Sequence, residues 1–354
     1  MALGLPSVSI QFIQEGMTAI KRGSRGVVAL IIKEQEAIDP ITIASSADLP
    51  EGISEDNKQL ILNALIGNTN APRKLELFVM HDGMSLQDAQ NYFENTYFDY
   101  LAYPEAQEGD ITALVSWIKQ LRDSGVMRKV VLANADADHE GVINVTQDGV
   151  VVGEKTYTAG EFTARVAGLI CGTDLRIATT YANVPEVDAI PFETREATAG
   201  RVGNGEFVLL REAGKIKVAR GVTSLTSTSQ AKGTLFQKIK TVDIMDLIAN
   251  DIRDTARDNY LGKYANSYDN KCLLITAIKG YLEGLVTEGL IEKDSIVVDI
   301  DLDVQRAYLK GIGVDVVNMD DSDIRQANTE DKVFIKVSCN VLDAIEEIQI
   351  KVYL

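Results

Sequence analysis

This sequence of 354 residues is poor in cysteine and histidine, on which disulfides, zinc sites and many catalytic sites depend. Its three cysteines, Cys171, Cys272 and Cys339, lie far apart and outside any CxxC or Cys/His spacing, so neither a disulfide framework nor a zinc site is indicated. The first residues lack a basic start followed by an apolar run, and no window approaches the roughly 18 apolar residues of a membrane helix. We expect a chain that is made and kept in the reducing cytoplasm.

The charge of the chain excludes further classes of partner. A formal net charge of −17 makes binding to a nucleic-acid backbone or to an anionic membrane surface unfavourable, since most of the surface would be repelled. A hydrophobic content of 45% with 25% charged residues is typical of a folded chain with two ordinary cores. The sequence therefore favours proteins as partners.

One acidic segment resembles a calcium loop. Asp136, Asp138 and Glu140 place oxygens at positions one, three and five, and Gly141 follows at position six. The twelfth position is Gln147 instead of a bidentate glutamate, and the segment follows a predicted strand instead of a helix. We interpret it as an acidic turn and predict no metal or cofactor.

Other candidate sites are equally incomplete. His81 and His139 sit in turns after predicted strands, and nothing supplies the remainder of a triad, so we interpret both as exposed turn histidines. Asp299, Asp301 and Asp303 alternate with apolar residues and are predicted to share the solvated face of a strand. Neither a G-x-S-x-G elbow nor a Walker lysine loop occurs. The sequence predicts no enzyme.

The pattern before residue 220 alternates between strands and helices. Strands are predicted at Val27 to Ile32, Leu75 to Met80 and Lys129 to Ala133, with helices at Asp110 to Ser124 and Ala159 to Cys171. This alternation predicts an α/β layer structure. Residues 178–218 are predicted to be strand and turn, with Glu206 to Leu210 and Lys215 to Ala219 paired as a hairpin across Gly214.

A connector rich in Thr and Ser, residues 220–240, then leads into a different pattern. Apolar residues at helical spacing predict a helix from Thr241 to Tyr260 with one buried stripe, and Asp251 and Arg253 mostly outside. A second helix is predicted from about Lys271 to Glu288, a strand from Ser295 to Val304, and a loop over residues 318–331. This part is predicted to be α+β.

Both ends of the chain alternate apolar and polar residues, as strands do. The alternating apolar positions are Val8, Ile10 and Phe12 near the start, and Ile348, Ile350, Val352 and Leu354 at the end. A flexible basic connector, residues 15–26, is predicted after the first of them. The pattern leaves two possibilities open: these strands pair within their own subunit, or they complete a sheet in a neighbouring one.

Several runs, in order, resemble contractile tail sheath proteins. The run Gly221 to Thr226, followed by Phe236 to Ile239 and Thr241 to Met245, is similar to the linker and first C-terminal helix of the diffocin-like branch found in myophages, phage-like elements and R-type bacteriocins of Gram-positive bacteria. Further matching runs are Phe98 to Pro104, Trp117 to Arg122, Gly141 to Val145, Ala164 to Gly168, Thr179 to Tyr181, Gly205 to Leu210, Tyr260 to Asn266, Tyr281 to Leu285 and Gly289 to Ile291. The resemblance covers most of the chain after about Lys58.

The resemblance implies a structural subunit of a minimal, two-domain kind. The implied divisions are an N-terminal arm and linker (1–25), an outer α/β domain (26–220), an inner, tube-proximal α+β domain (221–343) and a C-terminal arm (344–354). Such subunits form stacked sixfold rings around a tail tube, exchange terminal strands with their neighbours, and contract to drive the tube through a cell envelope. The implied partners are neighbouring sheath subunits, the tube protein, and baseplate and tail terminator proteins, with assembly in the bacterial cytoplasm before release of the particle.

Basic residues of the inner domain are the candidates for contacts with the tube or with adjacent subunits in this acidic chain. They are Lys232, Lys238, Lys240, Arg253 and Arg257. The competing hypotheses are a soluble α/β hydrolytic enzyme and another self-assembling tube or shell protein.

Overall fold

A computed structural model describes residues 19–23 and 25–353 of the chain. The strands are β1 Val27–Lys33, β2 Ile41–Ile43, β3 Lys74–Met80, β4 Tyr100–Ala102, β5 Lys129–Ala133, β6 Val142–Val145, β7 Val150–Val152, β8 Lys155–Tyr157, β9 Glu206–Phe207, β10 Leu209–Glu212, β11 Lys215–Val218, β12 Val297–Ile300 and β13 Ile335–Ser338. The helices are α1 Glu55–Ile66, α2 Leu86–Asn95, α3 Glu108–Asp123, α4 Ala159–Cys171, α5 Arg195–Gly203, α6 Ile239–Asn259, α7 Tyr268–Thr287, α8 Leu302–Gly311 and α9 Asp321–Gln326.

A seven-stranded sheet, in the order β2-β3-β1-β4-β5-β6-β9, organises the first part of the chain. All neighbouring strands are parallel except β2, which runs antiparallel to β3 at one edge. Strand β1 has the sequence VVALIIK and is buried at every position before its lysine, as a central strand covered on both faces requires. The predicted α/β layer is confirmed.

Helices cover both faces of this sheet. Helices α1 and α4 enclose one apolar cluster, and α2 and α3 enclose the other, where Phe98 stacks on Trp117 with ring centroids 6.1 Å apart. Helix α4 approaches α1 so closely that a Cβ at Gly168 would lie 1.9 Å from the carbonyl oxygen of Ala64. The predicted helix over residues 159–171 forms because Thr158 caps its first turn through a capping box.

A third cluster holds the second part of the chain together. It is built from α6 and α7, and the small antiparallel sheet β12–β13 packs against it through Val298 and Ile335. The first half of α6 also packs on the α/β layer, where Ile239 joins the first cluster. One helix therefore belongs to both parts, and the mixed α/β and α+β class is confirmed.

Three predictions before the connector need correction. Residues 195–203 form helix α5 instead of strand and turn, because the side chain of Thr194 accepts a hydrogen bond from the backbone N–H of Ala197 and caps the first turn. The hairpin is β10–β11, shorter than predicted, while β9 joins the main sheet beside β6. The basic segment of residues 15–26, predicted to be flexible, is held at Gly23, whose backbone N–H donates to Asp251 Oδ1 at 2.9 Å.

Two predictions after the connector were also wrong. The strand predicted over residues 295–304 ends at Ile300, because Asp301 accepts a hydrogen bond from the backbone of Val304 and begins α8. Asp299, which pairs with Arg325, is therefore in a strand, and Asp303 is in a helix. The loop predicted over residues 318–331 contains the short helix α9.

Parts of the predicted arms fall beyond the structure. Val8, Ile10 and Phe12 of the N-terminal arm, and Leu354 at the end of the C-terminal arm, lie outside the described residues. Among the described residues, no helix has the length and apolar character needed to cross a lipid bilayer.

Candidate assembly interfaces

The C-terminal arm leaves the body of the subunit with its apolar side chains uncovered. Ile348, Ile350 and Val352 are 74 to 79% exposed, and Ile345 and Tyr353 are more exposed still. Residues 342–353 belong to no strand ladder among the described residues. Exposed apolar residues in alternation are typical of a segment that pairs as a strand with another sheet.

The two-stranded sheet β12–β13 is a candidate acceptor for such a segment. Each strand pairs with the other, and neither has a second strand neighbour among the described residues. Val297 and Val337 on this sheet are exposed apolar residues. A two-stranded ribbon of this kind is marginal alone and gains from added strands.

The root of the arm is fixed by one carboxylate. Glu346 accepts hydrogen bonds from the hydroxyl of Thr180 at 2.5 Å and from Arg220 at 2.7 and 2.9 Å, and Lys238 Nζ lies 3.3 Å away. Burial would raise the pKa of Glu346, but these hydrogen bonds and charges lower it overall. Lys238 also pairs with Asp343. The arm is therefore anchored at position 346 and exposed beyond it.

The predicted contact residues near the connector are already engaged within the subunit. Lys232 Nζ donates to both carboxylate oxygens of Glu140 at 2.9 and 3.0 Å, and Lys238 holds the root of the arm. Lys240 is buried, its Nζ donates to the carbonyl of Arg176 at 3.2 Å, and burial lowers its pKa. These three lysines have intrachain roles.

The two predicted arginines lie further along α6. Arg253 donates to the carbonyl of Gly125 at 2.6 Å and also contacts Asp254. The side chain of Arg257 is 64% exposed, and its ion pairs within the described part of the chain are with Asp254 and Asp258 of its own helix, at 3.5 and 3.6 Å. Of the five predicted residues, Arg257 is the most accessible to another protein.

A buried ionic layer joins the start of α6 to the α/β sheet. Asp246 accepts from Lys129 Nζ at 2.6 Å and from two nitrogens of Arg122 at 2.8 and 2.9 Å. Asp243 accepts from the hydroxyl of Tyr100 at 2.7 Å and pairs with Arg25. Burial would raise the pKa of Asp246, but the charges of Lys129 and Arg122 lower it overall.

Sequence reasoning missed this layer. The only signals are two acids three residues apart at the start of an amphipathic helix and a lysine at the start of a buried strand, and both patterns are common. Asp251 was placed on the wrong side of the same helix: it is buried and accepts a hydrogen bond from the hydroxyl of Tyr281 at 2.6 Å. Burial raises its pKa.

The acidic turn after β5 has a structural role. Asp138 accepts from the backbone N–H groups of Thr226 and Ser227 at 2.7 and 2.9 Å, which attaches the connector to the α/β layer. Glu140 is held by Lys232 and lies 3.4 Å from Arg122. Among residues 19–23 and 25–353, no group of three His, Cys, Asp or Glu side chains could hold a metal ion.

His139 is buried, which corrects its interpretation as an exposed turn residue. Its Nδ1 accepts from the backbone N–H of Gly141 at 3.0 Å, and Nε2 lies 3.6 Å from Glu140. Burial lowers the pKa of His139 to about 4. The ring therefore stays neutral near neutral pH and acts as a hydrogen-bond acceptor for its own loop. His81, half-buried, has its ring beside the carbonyl of Asp82.

Comparisons with known proteins match both parts of the chain. A family model described as the phage tail sheath protein central domain matches residues 81–224, and one described as the phage tail sheath C-terminal domain matches residues 231–354. The tail sheath protein of Clostridium phage phiCD119 is 38% identical over 355 aligned residues, which cover 99% of each chain.

Two solved structures are similar in fold. The sheath tail protein from Desulfitobacterium hafniense has a TM-score of 0.70 at 21% identity, covering 83% of this chain and 94% of its own. The anti-feeding prophage helical sheath in its contracted state has a TM-score of 0.73 at 16% identity, covering 99% of each chain. At these identities, the two solved structures show a shared fold.

Proposed function

This chain belongs to the phage tail sheath family, and we propose that it polymerises as stacked hexameric rings around a tail tube and contracts to drive that tube through a target cell envelope. It is a structural subunit of a contractile tail and not an enzyme. Its function therefore depends on the surfaces through which it contacts other proteins.

The exposed C-terminal arm is the observation that carries this proposal. Each fully buried Ile or Val side chain contributes on the order of 1.5–3 kcal/mol, so an arm that exposes Ile348, Ile350 and Val352 forgoes several kcal/mol in the isolated subunit. A third strand on the β12–β13 sheet of a neighbour would cover these residues and satisfy the backbone groups of the arm. Val8, Ile10 and Phe12 of the N-terminal arm have the same alternating pattern and are proposed to do the same.

We propose domain roles that are consistent with this arrangement. Residues 26–220 would form the outer domain and residues 221–343 the inner domain, between an N-terminal arm and linker (1–25) and the C-terminal arm (344–354). The β12–β13 sheet and the root of the arm then both belong to the inner part, where strand exchange would link subunits. The buried ionic layer around Asp246 would keep the two domains together while subunits move relative to one another.

Contraction needs a source of energy, and the sequence lacks a Walker lysine loop. We propose that the extended sheath is a kinetically trapped assembly whose collapse creates new contacts between subunits. A solved structure of the anti-feeding prophage baseplate, sixfold symmetrised, has a TM-score of 0.68 to this chain at 16% identity, which supports the proposal of sixfold rings and a baseplate partner. Tail tube and tail terminator proteins would be the remaining partners, and assembly would take place in the bacterial cytoplasm.

The tube is proposed to contact basic residues of the inner domain. Arg257 is the first candidate because its side chain is mostly exposed and its partners lie on its own helix. Arg253 is a second candidate, although it also donates to Gly125. Lys232, Lys238 and Lys240 would contribute to such a contact only by giving up the intrachain partners that they have in the isolated subunit.

Assembly of arm variants tests the proposed function. Replacing Ile348, Ile350 and Val352 together with serine should abolish sedimentable polymer and leave the far-UV circular dichroism of the subunit unchanged, because these side chains are 74 to 79% exposed in the subunit. Replacing Gln349 and Lys351 with serine is the matched control on the other face of the same segment, and it should assemble like the unmodified chain. Normal polymer from the triple variant would refute strand exchange by this arm.

A further inference from the structure

The carboxylate of Glu346 is an exception in its surroundings. Its side chain is only 8% exposed, whereas that of Glu347 is 80% exposed and Ile345 and Ile348 are also uncovered. The neighbouring acid Glu347 contacts Arg220 at 3.3 Å, which is longer than the 2.7 and 2.9 Å from Arg220 to Glu346. One residue of an otherwise exposed segment is thus fixed to the body of the subunit.

The partners of Glu346 come from three places along the chain. Thr180 belongs to the segment after α4, Arg220 begins the connector, and Lys238 immediately precedes α6. The hydroxyl of Thr180 also accepts from the backbone N–H of Gly221 at 3.0 Å, which positions it next to Arg220. The carboxylate therefore binds a pocket whose walls are fixed by the fold and not by the arm.

The chain leading to this pocket is also held. Val341 forms a bridge with Ile291, and the N–H of Leu342 donates to the carbonyl of Leu290 at 2.9 Å. Asp343 then pairs with Lys238 before Glu346 reaches the same lysine. Between β13 and Glu346 the chain is thus held to the body of the subunit at several points, and the exposed apolar positions 348, 350 and 352 follow.

We propose that Glu346 is a positioning residue: a clamp, formed by Glu346 with Thr180, Arg220 and Lys238, that fixes the point and direction in which the C-terminal arm leaves the subunit. The clamp keeps the arm from turning back at residues 342–346 onto its own β12–β13 sheet, which lies directly before it in the chain. An open arm rather than a self-completed sheet is the form that a neighbouring subunit can bind. This inference rests on the proposed strand exchange and adds to it the residue that directs it.

The chemistry of the clamp makes it specific for a carboxylate at position 346. Two of its donors are positively charged and the third is a hydroxyl, so an amide at this position would present its N–H₂ group to donors. The other residues with charges facing Glu346 are Asp343, which shares Lys238, and Glu347, which shares Arg220. Loss of one charge-assisted hydrogen bond is enough to change an equilibrium by about tenfold.

Glu346→Gln tests the clamp, with Glu347→Gln as the matched control, since both remove one negative charge from adjacent positions. In the unassembled subunit, Glu346→Gln should increase hydrogen–deuterium exchange of the hydrogen-bonded amides of Leu342 and Ala344 by about tenfold, and Glu347→Gln should change it less than about twofold. At a fixed subunit concentration, Glu346→Gln should lower the initial rate of polymer formation by about tenfold, and Glu347→Gln should not.

The outcomes separate the clamp from strand exchange. If the serine variant of Ile348, Ile350 and Val352 fails to assemble while Glu346→Gln assembles and exchanges like the unmodified chain, strand exchange stands and the clamp is refuted. If Glu346→Gln and Glu347→Gln slow assembly equally, a general charge effect replaces the clamp. If the serine variant assembles normally, the exchange on which the clamp rests is itself refuted.

Discussion

Replacing Asp246 with Asn should destabilise the subunit strongly, because this carboxylate is the acceptor at the centre of the ionic layer between α6 and the sheet. Its two oxygens lie 2.6, 2.8 and 2.9 Å from one nitrogen of Lys129 and two of Arg122. The side chains of all three residues are at most 7% exposed. Without Asp246, the nearest carboxylates lie farther away, Asp243 at 3.2 Å from Lys129 and Glu140 at 3.4 Å from Arg122. Breaking a buried ion pair by removing one partner typically costs about 3–5 kcal/mol.

Equilibrium urea unfolding measures this loss with two signals. Trp117, the only tryptophan, lies in α3 with Arg122 and reports on the α/β layer, whereas far-UV circular dichroism reports on the whole chain. Both signals should show the lower free energy of unfolding, because Asp246 connects α6 to that layer. The measurement belongs at a concentration where light scattering shows monomer, since polymer would stabilise the fold by mass action.

Asp254→Asn is the matched control for this experiment. Asp254 lies on the same helix, but its side chain is 40% exposed and its pairs with Arg253 and Arg257 are at the surface. The change should therefore stay below about 1 kcal/mol. If Asp246→Asn also cost less than about 1 kcal/mol, the ionic layer would not hold the two parts together and the reasoning would be refuted.

Three further predictions concern packing, acid stability and the tube. Gly168→Ala should cost at least about 1–3 kcal/mol in thermal unfolding, because its Cβ would meet the backbone of Ala64, while Gly200→Ala, with open space in α5, should stabilise by about 0.5–1 kcal/mol. The folded pKa of His139 is about 4, below its ordinary value of about 6.5, so its contribution to stability is present above pH 6.5 and is lost as the pH falls towards 4. His139→Asn should therefore flatten the pH dependence of the unfolding free energy between pH 4 and 6.5. Arg257→Glu should leave the unfolding free energy within about 0.5 kcal/mol and weaken co-sedimentation with tail tubes at low salt, and unchanged binding would remove Arg257 as a contact.

Much of the fold could be predicted from the sequence because its signals are local. The apolar run of β1, the capping box at Thr158 and the helical spacing after the connector each specify an element without reference to the rest of the chain. The family resemblance of the connector and the first C-terminal helix could likewise be recognised from short runs of sequence that occur in the same order. These signals were sufficient for the fold class and the family.

The errors arose where a distant partner decides the outcome. Asp251 looked exposed on a helical wheel, but Gly23 and Tyr281 supply donors to it from other elements. Asp301 fits an alternating strand pattern in the sequence, but in the structure its side chain caps α8. Helix α5 was missed because its glycines weaken the helical signal, although Thr194 was an available cap.

The candidate interfaces divide in the same way. The exposed apolar positions of the C-terminal arm follow directly from alternation, so Ile348, Ile350 and Val352 could be named from the sequence. The intrachain roles of Lys232 and Lys238 could not, because Glu140 and Glu346 are remote from them in sequence. Charge alone identifies candidate contacts, and only the fold shows which charges are already paired.

Electron cryomicroscopy of the polymer formed by the purified chain tests the central claim most directly. We expect striated hollow cylinders, wide enough to surround a tube, in which residues 348–354 of each subunit form an added strand on the β12–β13 sheet of a neighbour. Density that connects this arm to the sheet of its own subunit, or only compact monodisperse particles without cylinders, would contradict the account.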